Sequence, residues 1–122
     1  MSTQQIFAIW ADAFETSPKT WARFAGRYKW TVRGSSGGVC VLDCGIRPQV
    51  LHGDTDPVDF EIVLSEPDLF ELVRGELNPQ LAFLERRFQV IGKTKHVLRF
   101  NFLLESLLQL TADHSESLAQ HS

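Results

Sequence analysis

The sequence predicts an α+β fold, and three features of its apolar patterning carry that prediction. Apolar residues over 4–15 recur at helical spacing; the period then falls to two through four successive strand-like runs; helical spacing returns after Ser65, interrupted by one short strand before a long final helix. At 122 residues the chain fits one domain. Its 43% hydrophobic and 22% charged content is that of an ordinary globular protein. A chain of this size buries about two thirds of its unfolded surface, enough for a core without metal or disulfide staples.

In the first helix Ile6, Ile9, Trp10, Ala13 and Phe14 form one stripe, and Thr3 is the expected cap. Ser17-Pro18 opens a short second turn through Trp21, Phe24 and Ala25, stopped by Gly26. Tyr28, Trp30 and Val32 then alternate with Lys29, Thr31 and Arg33, the pattern of a half-buried strand. A glycine-rich turn over 34–38 leads to a partner strand over 39–43, and 49–52 is a short third strand. Val58, Phe60, Ile62 and Leu64 give the clearest strand. Strands in direct succession favour an antiparallel meander.

Ser65-Glu-Pro-Asp68 has the layout of a capping box, and Gly75 ends the helix it starts. Asn78-Pro79 begins another helix through Leu81, Phe83 and Leu84, with Arg86 and Arg87 at the end where a helix dipole favours cations. Residues 88–91 form the last strand. The final helix runs from Thr94 to about Leu110, with Lys95, Arg99, Glu105, Ser106 and Gln109 on a narrow polar arc. Leu98 and Phe102 fall inside that arc, and leucines with Phe100 fill the rest. Such a face is too wide for one sheet, so the helix either roofs a cavity or meets a second chain. The polar stretch after it has no apolar period, which divides the chain into one domain over 1–110 and a disordered tail over 111–122.

Several function classes are disfavoured. A net charge of −3 offers no overall footprint for nucleic acid or an anionic membrane, and no apolar run is long enough for a transmembrane segment. The start of the chain lacks the basic region of a signal peptide, and the end carries no peroxisomal address. Cys40 and Cys44, about 13 Å apart on an extended strand, read as reduced core thiols, and a cytoplasmic location is expected. His52, Asp54 and Asp56 match neither a calcium loop nor a strong zinc site and read as turn residues. No nucleophile elbow or phosphate loop occurs, and no catalytic residue, metal or cofactor is assigned.

The run of motifs Gly26-Arg-Tyr-Lys-Trp-Thr-Val32, Val58-Asp-Phe-Glu-Ile-Val-Leu-Ser65, Asp68-Leu-Phe-Glu-Leu-Val-Arg-Gly-Glu-Leu-Asn-Pro-Gln80, Ala82-Phe83 and Phe88-Gln-Val-Ile-Gly92 resembles the sterol-carrier-protein, or non-specific lipid-transfer, domain over about 24–110. Two departures stand out: Glu85-Arg86-Arg87 where the family has Gly before a basic residue, and Lys93 where it has Asp or Asn. The resemblance implies a five-stranded, mostly antiparallel sheet covered on one face by helices, with an apolar tunnel between the layers.

It also implies non-catalytic binding of a hydrophobic small molecule or lipid: a fatty acyl, sterol or isoprenoid chain, carried or presented to enzymes. On that reading Trp30, Val32, Phe60, Ile62, Phe83, Val90, Phe100, Leu103, Leu104 and Leu107 line the cavity, and an anionic head group meets Arg86, Arg87 or Lys93. The alternative is an accessory or oligomerisation module whose last helix binds a second copy, as a homodimer, or a partner enzyme.

Overall fold

The structure is a computed structural model that describes residues 2–120, with side chains through His114. Local capping sets where the helices begin. Helix α1 (Thr3–Thr16) starts from Ser2: its hydroxyl accepts from the Gln5 N–H at 3.2 Å, while the Gln5 side chain accepts from the Ser2 N–H at 2.8 Å. The cap therefore lies one residue before the expected Thr3. Thr3 is instead fully buried and donates to Glu66 Oε2 at 2.9 Å, tying α1 to the third helix. After α2 (Pro18–Ala22) come β1 (Arg27–Arg33), β2 (Gly38–Asp43), β3 (Gln49–His52) and β4 (Phe60–Ser65), then α3 (Glu66–Val73), α4 (Pro79–Leu84), β5 (Gln89–Gly92) and α5 (Thr94–Gln120).

The strands form one sheet in the order β3-β2-β1-β4-β5. Three pairings are antiparallel, but β4 lies beside β1 in parallel, with Trp30 opposite Ile62. The meander expected from strand succession thus stops at β3, and the loop after it returns the chain across the sheet. Asp59 fixes the join, accepting from the Arg27 N–H through its carboxylate and donating its own N–H to the Arg27 carbonyl, both at 2.9 Å.

One sheet face is apolar and covered by helices. Tyr28, Trp30, Val32, Cys40, Leu42, Phe60, Ile62 and Leu64 are all buried there. The opposite face is mixed: Lys29 reaches Asp54 at 2.5 Å and Glu61 at 3.8 Å, and Thr31 donates to Glu61 at 2.7 Å. Asp54, read in sequence as a turn residue, is thereby engaged by a lysine.

Helix α1 packs on the β3–β2 side of the apolar face and reaches the central strand through Trp10, whose ring lies 4.9 Å from that of Trp30. The Trp10 indole N–H donates to Thr111 Oγ1 at 3.3 Å, and that hydroxyl donates to the Leu107 carbonyl at 2.8 Å. Thr111 is fully buried. Ordered structure therefore continues past the boundary drawn at 110, because α5 must extend far enough to satisfy an indole on α1. The lone-pair and donor capacity of a single threonine does what the polar composition of 111–114 conceals.

Helix α4 ends with Arg86 at φ 62°, a left-handed backbone rare for residues other than glycine. The Arg87 N–H closes the turn onto the Ala82 carbonyl at 2.9 Å. This is the place where the family resemblance leads one to expect glycine.

Three outcomes follow from this packing. Thr111→Val should destabilise the fold by about 1–3 kcal/mol in chemical denaturation, by stranding the buried Trp10 N–H. Arg86→Gly should stabilise it by roughly 1 kcal/mol, read as a higher melting temperature. Burial pushes both thiols above the ordinary value of 9.0, Cys44 to about 12. Their neutral forms are favoured by folding, so this stability is intact below pH 9 and declines as pH rises toward 12; denaturation midpoints at pH 7 and pH 10 should show the loss.

Candidate ligand cavity

A cavity of about 340 Å³ opens between α4, the β4–β5 edge of the sheet and the first turns of α5. Its floor follows from strand alternation. Phe60 and Ile62 point to the helical face of β4, and Val90 stands opposite Ile62 on β5, with Phe88 two residues earlier on the same side. Gly92 pairs with Phe60 and lets the two strands approach closely there. A Cβ at that position would lie 2.9 Å from Phe60 Cδ2 and 3.0 Å from the Asp59 carbonyl, at a φ of 158°.

The walls are helical. Asn78 Oδ1 accepts from the N–H groups of Gln80 and Leu81 at 2.9 and 3.2 Å, fixing the start of the six-residue α4. That helix presents Pro79, Gln80, Phe83 and Leu84 to the cavity. Opposite, Val97, Asn101 and Leu104 share one face of α5, and Phe100 stacks on Phe60 with ring centroids 4.3 Å apart.

Of the ten lining residues expected from sequence, the cavity brings together Phe60, Ile62, Phe83, Val90, Phe100 and Leu104. Trp30, Val32, Leu103 and Leu107 lie elsewhere, fully packed in the core. The physical reason is α1, whose Trp10 fills the space above β1 that a tunnel between the layers would need. The cavity lies between the sheet and the helices, at the β4–β5 edge and not along β1. Six lining residues were missed: Pro79, Gln80, Leu84, Phe88, Val97 and Asn101. Their signal was present in the spacing, since 80 and 84, 97, 101 and 104, and 88 and 90 each share a face.

The three basic candidates separate. Arg87 is held by Asp68 at 2.5 Å and by Glu71, hydrogen bonds that raise its pKa further, so it clamps α3 to the end of α4. Arg86 and Lys93 are exposed to solvent on either side of β5. The polar side chains among the lining residues are Gln80 and Asn101, two neutral amides that are also exposed to solvent. Among the described residues no group of three or more His, Cys, Asp or Glu is arranged to hold a metal ion.

Comparison with known proteins places this geometry. No curated protein matches the sequence. Among solved structures, sterol carrier protein domain 2 of Helicoverpa armigera is similar at 21% identity and a TM-score of 0.70, over 86% of this chain and 87% of that one. The apo form of sterol carrier protein 2 from Yarrowia lipolytica gives 18% identity and a TM-score of 0.70, over 89% and 91%. Sterol carrier protein 2 from Aedes aegypti, solved in complex with palmitate, gives 19% and 0.66, over 90% and 96%. These likenesses establish the fold. The family model described as the SCP-2 sterol transfer family matches residues 9–105, and this chain belongs to that family.

Proposed function

We propose that this protein binds a lipid without transforming it, taking an apolar chain into the cavity between α4, β4–β5 and α5. The observation that carries the reading is the lining itself: an opening of about 340 Å³ walled by aromatic and aliphatic side chains, with two amides as its polar groups. Small-molecule sites run from about 300 to 1,000 Å³, so this one is at the small end. A slender, flexible chain suits it better than a rigid fused-ring body, because the chain can bend and leave its remainder at the mouth. Each methylene removed from water contributes about 0.8 kcal/mol.

The family membership supports the same reading, as does the palmitate held by the Aedes aegypti relative. Gln80 or Asn101 would offer a hydrogen bond to an ester, hydroxyl or carbonyl, and an anionic head would meet Arg86 or Lys93 at the rim. Neither amide serves as a nucleophile or general base, which supports binding without catalysis. The reading of α5 as an oligomerisation helix has less behind it, because Phe100, Leu103, Leu104 and Leu107 are buried within their own chain.

Titration with fatty acids, sterols and isoprenoid quinones, followed by melting temperature and native mass spectrometry, tests the proposal. A single-chain lipid should raise the melting temperature and appear as a one-to-one complex. Val97→Trp, which adds bulk at a partly exposed lining position, should weaken that lipid about tenfold, the equivalent of roughly two buried methylenes. No shift with any of the three classes, and no bound lipid in the purified protein, would overturn it.

A further inference from the structure

Two indoles meet in the core, and their surroundings treat them differently. Trp10 and Trp30 are both fully buried, with rings 4.9 Å apart. The Trp10 N–H donates to the Thr111 hydroxyl at 3.3 Å, whereas Trp30 Nε1 has no hydrogen-bond partner among the described residues. Arg27 Nε and His96 Nδ1 share that state, but Arg27 has an Asp43 carboxylate oxygen at 4.0 Å and His96 is only half-buried. Trp30 is thus the fully enclosed donor left unmet. Buried polar groups are nearly always paired, because leaving one dry and unbonded is costly. A water is a poor partner here: it needs further polar contacts of its own, and the residues beside Trp30 are Trp10, Phe100, Ile62 and Cys40.

Trp30 stands one side chain behind the cavity. Ile62, its partner in β4, and Phe100, whose ring is 5.8 Å from the indole, both line that cavity. A turn of the Phe100 ring about its side-chain bonds would join the two. What can then reach the indole follows from its chemistry, since Trp offers one N–H and no acceptor. A carboxylate would carry its charge into a ring-lined interior. A hydroxyl would bring an O–H needing an acceptor of its own. A ketone or ester carbonyl only accepts, so it meets the indole and adds no unmet donor.

We propose that Trp30 is a specificity-determining residue of the cavity, selecting lipids that enter with a carbonyl foremost. In the bound state Phe100 swings aside and the carbonyl oxygen accepts from Trp30 Nε1, while the chain runs past Ile62 and Leu104 toward the mouth. Trp10 and α1 keep their places. A site that supplies a buried donor discriminates against the analogue that cannot use it. The proposal rests on the lipid-binding reading, because the cavity is the route to the indole.

The test compares methyl heptyl ketone with nonane, a hydrocarbon of equal carbon number, on the full chain and on Trp30→Phe. Affinities come from thermal-shift titration, and the indole N–H signals of the three tryptophans are followed by NMR. Trp30→Phe should lower the ratio of ketone to nonane affinity by about fivefold, the worth of one net hydrogen bond. The ratio cancels what the smaller ring does to both ligands alike. In the parent protein the Trp30 indole proton should move downfield with the ketone and not with nonane, a reading that stands even where the variant folds poorly.

An unchanged ratio in folded Trp30→Phe would overturn the proposal and give the carbonyl to Gln80 or Asn101 at the mouth. So would a Trp30 proton that answers equally to both ligands, or one that lies far upfield in the free protein and stays there, which would pair the N–H with a ring face. Nonane raising the melting temperature while the ketone ratio fails leaves the cavity standing and removes this role. Neither ligand binding refutes the cavity and the proposal together.

Discussion

Phe100 stacks on Phe60 at 4.3 Å, and this contact divides the space between sheet and helices into two regions of different character. On one side Phe100 continues through Trp30, at 5.8 Å, into Trp10 and α1, where large rings fill the interface. On the other, the sheet narrows to the four residues of β5, and the covering element is the single short helix α4. Packed cores tolerate few voids. The cavity lies where there is too little helix to cover the sheet, and Phe100 is the wall that keeps the rest of the core filled.

Arg87 supports that arrangement from behind. By joining Asp68 and Glu71 of α3 it fixes the end of α4, the least anchored wall, to a helix that is itself tied to α1 through Thr3 and Glu66. One arginine of an adjacent pair is thus structural and the other projects into solvent. Adjacent identical residues with different roles are easily merged when only the sequence is read, and all three basic candidates were grouped there on type alone.

Most of the secondary structure was legible, because each element rests on local chemistry. The Ser65 and Asn78 caps and the alternation of β1 and β4 are properties of a few neighbouring residues. The parallel pairing of β1 with β4 was not, since alternation tells which way a side chain points but not which strand lies beside it. For the same reason alternation grouped Phe60 and Ile62 with Trp30 and Val32, although the first two line the cavity and the other two, one strand away, are packed in the core. Val97 and Asn101 were within reach, being one and two turns of the helix from Leu104. Thr111 was not, because its role depends on an indole a hundred residues away in sequence. Net charge hid the most: a total of −3 is silent about five cations gathered between residues 79 and 100.

The edge position of the cavity has a kinetic meaning. A tunnel through the middle of the layers would exchange its contents only when the aromatic core parted, so release would be as slow as large-scale unfolding. Here the boundary is a six-residue helix and the opening turns of α5, and the far side of Phe100 need not take part in opening. Local opening of such elements requires much less free energy than global unfolding. For a lipid in the proposed cavity, residence time and resistance to denaturation would therefore be set by different residues, and either could be changed while the other is held.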